Sequence, residues 1–147
     1  MYTRILVPLE CSDYDDAIIT HVRELALLCQ SSLVLIHVAD GWAARNQQGL
    51  VLRESDEMKR DRAYLESRAD VLEGAGLEVE CVLAGGDPAS EIAIAAERER
   101  CDLVAMSTHG HKGVQDFIRG SVANAVRHQT TVPVLMVRGA VRRLQIE

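Results

Sequence analysis

Apolar runs and segments of helical spacing alternate along this chain. The runs are rich in Val, Leu and Ile and are bounded by polar or turn-forming residues, a pattern typical of β-strands buried in a sheet. They are Thr3–Leu9, Leu33–Val38, Glu78–Leu83, Asp102–Met106 and Val132–Val137. Between successive runs, apolar residues recur every three or four positions, which predicts amphipathic helices.

Local signals mark where two of these helices begin. Ser12, followed by Asp15 three residues later, resembles the capping box of the first helix. Asp87 and Pro88 suit the N-cap and the first turn of the third helix, because proline needs no hydrogen-bond partner for its nitrogen there. Both signals follow predicted strands directly, so the connections should be short.

Five strands separated by helical crossovers predict an α/β fold, in which an open parallel five-stranded sheet lies between two layers of helices. The second crossover contains the irregular segment 39–53 and then a predicted helix over Glu54–Glu73. No repeat or low-complexity linker interrupts the pattern, so residues 1–147 are expected to form a single domain. Ligands of such sheets bind at the carboxyl ends of the strands, which directs attention to the loops that follow them.

Composition agrees with this architecture and narrows the range of partners. Apolar residues make up 48% of the 147 residues and aromatic residues 3%, which suits a core of aliphatic side chains. The net charge of −6 disfavours nucleic acid and anionic membranes, since both attract basic surfaces. The four cysteines form no C-x-x-C pair, and no signal-peptide or membrane-spanning pattern is present, so a cytoplasmic protein is expected.

The segment after the fourth strand has the features of a phosphate site. Gly110 and Gly113 permit positive φ angles, while Gly120 and Ser121 precede a helical pattern that starts at Val122. A helix that begins there would present unpaired N–H groups and a partial positive charge to an anion. A glycine-capped connection that binds nothing has the same spacing, so the residues alone leave both interpretations open.

Other familiar sites lack the residues they require. The glycine patterns of P-loops and of dinucleotide-binding folds are absent, and the third strand does not end in the aspartate of a phospho-acceptor domain. His109 and His111 have no third ligand in view, so no metal site is predicted. Cys11 precedes a helix start, where the helix dipole favours a thiolate; a nucleophile and an inert loop thiol are the two interpretations.

The stretch Met106–Val137 carries a longer motif. It consists of a strand, S-T-H-G, nine residues, G-S-V, a helix and V-P-V-L-M-V. In this the chain resembles the universal stress protein family, and Ile5–Pro8, Leu35–Val38 and the Asp87-Pro88 pair are similar to other landmarks of that family. The resemblance covers nearly the whole chain. It implies a Rossmann-like fold of strand order 3-2-1-4-5, a homodimer and, in the ATP-binding branch, the pattern G-x-x-G-x9-G-[ST].

The resemblance also implies where an adenine nucleotide would lie. Adenine is expected against Pro8, Leu9 and the backbone of Val38. Ribose is expected near Glu10, with Met106 on the floor of the site. The phosphates are expected on Ser107, Gly110, Gly120, Ser121 and Val122. The implied ligand is ATP, ADP or AMP, with or without Mg²⁺.

Three residues depart from the family pattern. Ser107 stands where the first glycine of the motif is usual, which adds a Cβ atom beside the phosphates but also a hydroxyl donor. Glu10 stands in place of the usual aspartate, and its longer carboxylate can still reach a ribose hydroxyl. Cys11 stands in place of the usual glycine.

Functions of three classes are consistent with these residues. The first is a stress-response or regulatory protein that binds ATP and signals its occupancy to a protein partner. The second is a nucleotide-independent dimeric interaction protein, and the third is a slow ATP hydrolase or nucleotidyl transferase, with candidate groups in His109, His111 and Lys112. A homodimer through Val132–Val137 is expected because this apolar run would form an uncovered sheet edge, unless the tail 141–147 folds over it.

Overall fold

The computed structural model describes residues 1–40, 56–109 and 114–139, and within them the side chains of all residues except 40, 109 and 114–121. The strands are β1 (Arg4–Pro8), β2 (Ser32–Asp40), β3 (Val79–Gly86), β4 (Leu103–His109) and β5 (Val134–Gly139). The helices in the described part of the chain are α1 (Asp15–Cys29), α2 (Asp56–Gly74), α3 (Pro88–Arg98) and α4 (Val114–Gln129).

The strands form one parallel sheet of order β3-β2-β1-β4-β5, which confirms the predicted α/β fold and the strand order that the family resemblance implied. Strand β1 lies in the middle, where Ile5 pairs with Leu33 of β2 and with Leu103 of β4. The chain fills one side of the sheet first and then crosses to the other side. The order therefore reverses beside β1, and such a reversal opens a crevice at the carboxyl ends of the strands.

Two apolar clusters cover the two faces of the sheet. Alternate residues of each central strand point to opposite faces, so Ile5 belongs to one cluster and Leu6 to the other. The first cluster packs under α1 and α2, and the second under α3 and α4. Both clusters consist mainly of aliphatic side chains, as the scarcity of aromatic residues predicted.

The start of the third predicted helix is confirmed in detail. Asp87 is the N-cap of α3, and its carboxylate accepts a hydrogen bond from the backbone N–H of Ser90 at 3.0 Å. Pro88 follows as the first helical residue. The hydrogen bonds from the hydroxyl and N–H of Ser90 lower the pKa of Asp87, so the cap keeps its charge at neutral pH. None of the described helices has the length and apolarity needed to cross a bilayer.

The predicted start of the last helix is wrong. Helix α4 begins at Val114, so Gly120 and Ser121 lie within it as backbone rather than at its first turn. The sequence has apolar residues at Val114, Phe117 and Ile118, and this spacing extends the helical pattern toward β4. A glycine inside a helix costs only about 1 kcal/mol relative to alanine, so Gly120 does not by itself end the helix.

Candidate functional site

A cleft of about 370 Å³ lies at the carboxyl ends of β1 and β2. The strands and the loop after β1 form one part of its wall, and the first turns of α2 and α3 with one residue of α4 form the rest. The lining residues are Pro8, Leu9, Glu10, Cys11, Ile36, His37, Val38, Glu57, Asp61, Pro88, Ile92 and Val122. The cleft therefore lies where parallel α/β sheets bind their ligands.

Five of the residues predicted to contact a nucleotide line this cleft together. They are Pro8, Leu9, Glu10, Val38 and Val122. The first three come from the end of β1, the fourth from the end of β2, and the last from α4 on the second face of the sheet. The structure thus brings together residues that the sequence separates by more than a hundred positions.

Met106 and Ser107 are described but do not line the cleft. Met106 is 3% exposed and belongs to the apolar cluster under α3 and α4. Ser107 is 8% exposed, and its hydroxyl donates a long hydrogen bond of 3.5 Å to the carbonyl oxygen of Tyr14. A Cβ atom at Gly139 of β5 would collide with the same hydroxyl, so Ser107 fills space between β5 and α1.

The remaining predicted phosphate contacts lie wholly or partly outside the described residues. Gly110 lies outside the described residues. Gly120 and Ser121 are described only as the backbone of α4, and Val122, which follows them, is the residue of that helix in the cleft wall. The phosphate contacts therefore stay a prediction.

A buried carboxylate fixes the loop between β1 and α1. Asp15, the first residue of α1, is fully buried. Its Oδ1 accepts a hydrogen bond from the N–H of Glu10 at 2.9 Å, and its Oδ2 accepts bonds from the N–H groups of Cys11 at 2.9 Å and Ser12 at 3.2 Å. Of the two hydrogen bonds of the predicted capping box, the one from the N–H of Ser12 to the Asp15 carboxylate is therefore present. The Ser12 hydroxyl accepts its hydrogen bond from the N–H of Tyr14, at 3.3 Å, instead.

Tyr64 of α2 binds the same carboxylate from the other side. Its hydroxyl donates to Oδ2 of Asp15 at 2.8 Å and also lies 3.2 Å from the carbonyl oxygen of Ser12. Burial, together with the hydrogen bond to Asp15 and the negative charge there, raises the pKa of Tyr64 well above its usual value, so the hydroxyl remains a donor. Arg68 lies 5.1 Å from the ring centre and pairs with Asp16 at 2.8 Å.

Cys11 has a left-handed backbone conformation, with a φ angle of 64°. This conformation costs a residue with a Cβ atom about 1 kcal/mol or more, whereas glycine adopts it freely. The glycine of the family pattern at this position therefore matches the observed backbone. The hydrogen bonds of the loop to Asp15 hold Cys11 in the strained conformation with its side chain in the cleft wall.

His37 lies at the carboxyl end of β2 between two oxygen atoms. Its Nδ1 is 2.7 Å from the carbonyl oxygen of Leu9, and because a carbonyl only accepts, Nδ1 carries the proton. Its Nε2 is 3.4 Å from Oδ2 of Asp61 on α2. One ligand atom from each of Cys11, His37 and Asp61 lies within 4.8 Å of the other two. The sequence predicted no metal site; among the described residues, these three form the group of potential metal ligands that the structure brings together.

The cleft combines apolar walls with a carboxylate rim. Side chains of both strands and of α3 supply flat apolar surface, which suits a heteroaromatic ring. Glu10, Glu57 and Asp61 supply carboxylates, which accept hydrogen bonds from hydroxyl groups and repel anions. Glu10 is itself oriented by a hydrogen bond of 3.1 Å from the Ser12 hydroxyl to its Oε2. This chemistry suits a base and a sugar, and it requires any phosphate to lie beyond the carboxylates.

His37 and Asp61 were not predicted as residues of the site. A signal for His37 exists, because Leu33, Leu35 and His37 alternate on one face of β2 and the third of them is polar. Asp61 has no comparable signal, since it lies among many charged residues of α2. The role of Asp15 was also only partly visible, because a capping pattern does not reveal burial.

Comparison with known proteins gives one consistent group of relatives. The model of the universal stress protein family matches residues 1–138. The universal stress protein MJ0577 of Methanocaldococcus jannaschii is 27% identical over 157 residues, which cover 94% of this chain and 96% of that protein. The solved structure of MJ0577 has a TM-score of 0.76 at 26% identity and covers 97% of this chain and 99% of its own.

Two further solved structures share the fold at lower identity. A universal stress protein from Archaeoglobus fulgidus, in complex with dAMP, has a TM-score of 0.68 at 21% identity over 92% of this chain and 97% of its own. A universal stress protein in complex with cAMP has a TM-score of 0.68 at 19% identity over 95% of this chain and 98% of its own. Both likenesses concern the arrangement of strands and helices.

Proposed function

The chain belongs to the universal stress protein family, and from this membership and the shape of its cleft we propose that it is a regulatory protein of the stress response that binds an adenine nucleotide. The observation that carries the proposal is the meeting of Pro8, Leu9, Glu10, Val38 and Val122 in one cleft. The family resemblance implied these residues as base, ribose and phosphate contacts. The cleft volume of about 370 Å³ lies within the range of small-molecule sites.

The chemistry of the cleft supports one orientation of the nucleotide. The adenine ring lies against Pro8, Leu9 and the backbone of Val38, and a ribose hydroxyl donates to Glu10. Because Glu10, Glu57 and Asp61 repel phosphate, the phosphates extend away from α2 toward Val122 and the segment between β4 and α4. Gly110 belongs to this segment, Ser107 precedes it in β4, and Gly120 and Ser121 follow it in α4. All four remain the proposed phosphate contacts, while Met106 underlies the site.

The ligands of the related structures agree with an adenine nucleotide. The dAMP and cAMP of those two proteins share the adenine base and carry a single phosphate. For this chain we propose ATP as the ligand, with or without Mg²⁺, and with ADP and AMP as weaker alternatives. Signalling by the bound state to a protein partner, and a cytoplasmic location, complete the proposal.

Replacing Glu10 by Ala tests the proposed ribose contact. The substitution is expected to weaken ATP binding by about 1–3 kcal/mol, which is roughly 5- to 150-fold, because it removes a charged acceptor from a ribose hydroxyl. Isothermal titration calorimetry on the wild type and the variant measures the change. Glu97→Ala on the exposed part of α3 is the matched control and should bind like the wild type. A wild type that binds no adenine nucleotide would instead support the nucleotide-independent interaction protein.

We also propose that two copies of the chain associate through β5. In the described sheet β5 is an edge strand paired only with β4, and Met136 is 47% exposed. Exposed apolar edge strands tend to pair with another strand, and a two-fold axis would cover both copies at once.

The wild type is accordingly expected to have twice the mass of one chain in light scattering at micromolar concentration. Met136→Glu should shift it to the monomer, because pairing would bring two like charges together at the edge. Val71→Glu, at a site on α2 that is 66% exposed, is the control and should leave the mass unchanged. A monomeric wild type, or a dimeric Met136→Glu protein, would contradict edge pairing.

A further inference from the structure

We propose that Cys11, His37 and Asp61 bind a divalent transition-metal ion of the zinc class, with the fourth coordination position open to the cleft. The three residues come from the loop after β1, from β2 and from α2, and all three line the cleft. This inference does not rest on the proposed nucleotide binding, since its observations concern the wall of the cleft that faces α2.

The distance between His37 and Asp61 suits a tetrahedral ion, and Cys11 lies close to both. Bonds of about 2.0–2.3 Å place the ligand atoms of a tetrahedral zinc ion roughly 3.3–3.8 Å apart. Nε2 of His37 and Oδ2 of Asp61 already lie 3.4 Å apart, and one ligand atom of Cys11 completes the set within 4.8 Å. The His37 and Asp61 side chains are only 12% and 15% exposed, so packing limits their movement away from these positions.

The orientation of His37 favours metal coordination over a catalytic role for Cys11. The Nδ1 proton is held by the carbonyl oxygen of Leu9, which leaves the Nε2 lone pair to face Asp61. Ligating histidines commonly have their second nitrogen fixed by such a hydrogen bond. A cysteine nucleophile would need one imidazole nitrogen as its base and the other oriented by a carboxylate, and here the second nitrogen faces the backbone instead.

The backbone at Cys11 is consistent with this site. A φ angle of 64° is unfavourable for most residues other than glycine, yet this position carries a cysteine that lines the cleft. Strain of this kind is found where the geometry of a side chain is needed for function. Zinc binding is such a function, because the thiolate of Cys11 is the softest ligand of the set.

The donor set selects the class of metal. Thiolate and imidazole prefer zinc and its neighbours in the first transition row, whereas Mg²⁺ and Ca²⁺ prefer sites made of oxygen alone. Three protein ligands are the usual number where zinc keeps a position for water or a ligand. Glu10 and Glu57 line the same cleft, and their carboxylates add to the attraction for a cation.

The test uses the full reduced chain without nucleotide, with Zn²⁺ alone and Co²⁺ alone as probes. We expect one metal ion per chain, a thiolate-to-cobalt charge-transfer band, and a rise in the melting temperature on addition of Zn²⁺. Cys11→Ser should abolish the band and lower zinc affinity about 100-fold or more. His37→Asn, which keeps a donor for Leu9, and Asp61→Asn should weaken zinc binding while leaving the apoprotein folded.

Matched variants separate this site from adventitious binding. Cys81→Ser and His21→Asn change exposed residues outside the cleft and should retain wild-type zinc affinity and the cobalt band. Cys11→Gly should raise the melting temperature of the apoprotein, because it relieves the backbone, and should lose the rise caused by Zn²⁺. Absence of metal binding by the wild type, or a cobalt–thiolate band that persists in Cys11→Ser, would overturn the proposal.

Discussion

Replacing Asp15 by Asn is expected to lower the free energy of unfolding by about 2–4 kcal/mol. The carboxylate accepts hydrogen bonds on both oxygens, from Glu10 on Oδ1 and from Cys11, Ser12 and Tyr64 on Oδ2. An amide has one accepting oxygen, so in either orientation its NH₂ group faces at least one backbone N–H in a fully buried position. Urea unfolding followed by circular dichroism measures the loss.

Two further variants show whether the burial of Asp15 causes the expected loss of stability. Asp16→Asn changes the next residue, which pairs with Arg68 and has a side chain that is 60% exposed, and should alter stability by less than about 0.5 kcal/mol. Tyr64→Phe removes a single donor to Asp15 and should cost about 1–2 kcal/mol. If both substitutions lowered the free energy of unfolding equally, the hydrogen bonds from the three loop N–H groups to Asp15 would not stabilise the fold.

The Asp15→Asn substitution should also change the cleft wall. Asp15 holds the backbone of Glu10 and Cys11, and both residues line the cleft wall. A loosened loop would lose the orientation of the Glu10 carboxylate, so the Asp15→Asn protein that remains folded should bind ATP more weakly than wild type. The stability of the fold and the shape of the site thus depend on one buried group.

The fold was predictable because its information is local and periodic. The runs around Ile5, Leu33 and Val104 are continuous apolar stretches, as expected of strands buried on both faces, and the Asp87-Pro88 pair sets a helix start by rules that act within a few residues. The start of α4 was missed for a related reason. Gly120 and Ser121 look like a helix start, but the apolar spacing from Val114 extends the helix past them.

From the residues alone, the site was predictable where it coincides with strand ends, whereas the family resemblance supplied Val122 of α4. Pro8, Glu10 and Val38 follow or end strands, and parallel topology alone brings such residues together. The contact of His37 with Asp61 depends on how α2 packs on the sheet, and the strain at Cys11 depends on hydrogen bonds to a buried acid. Neither leaves a periodic trace in the sequence, so the metal-binding geometry emerged only from the three-dimensional arrangement.

Filling the cleft with an aromatic side chain is expected to abolish nucleotide binding. Val38 lines the cleft at the end of β2, where its neighbour on β3 is Ala84. A tryptophan there would occupy the apolar surface proposed for adenine, and Val38→Trp should lower ATP affinity about 100-fold or more, which is roughly 2.7 kcal/mol. Aromatic residues suit β-structure, but Val38 also packs against the apolar cluster under α3 and α4, so the test requires a variant whose fold is intact.

Calorimetric titration with ATP, combined with urea unfolding, separates loss of the site from loss of the fold. Val71→Trp places the same side chain on the exposed face of α2 and should bind ATP like the wild type. Gly120→Val then tests the position of the phosphates. Crowding at Gly120 should lower the affinity for ATP more than the affinity for adenosine only if the phosphates approach that backbone. Unchanged affinity in a folded Val38→Trp protein would place the base outside the cleft, because adenine and indole cannot share this apolar surface.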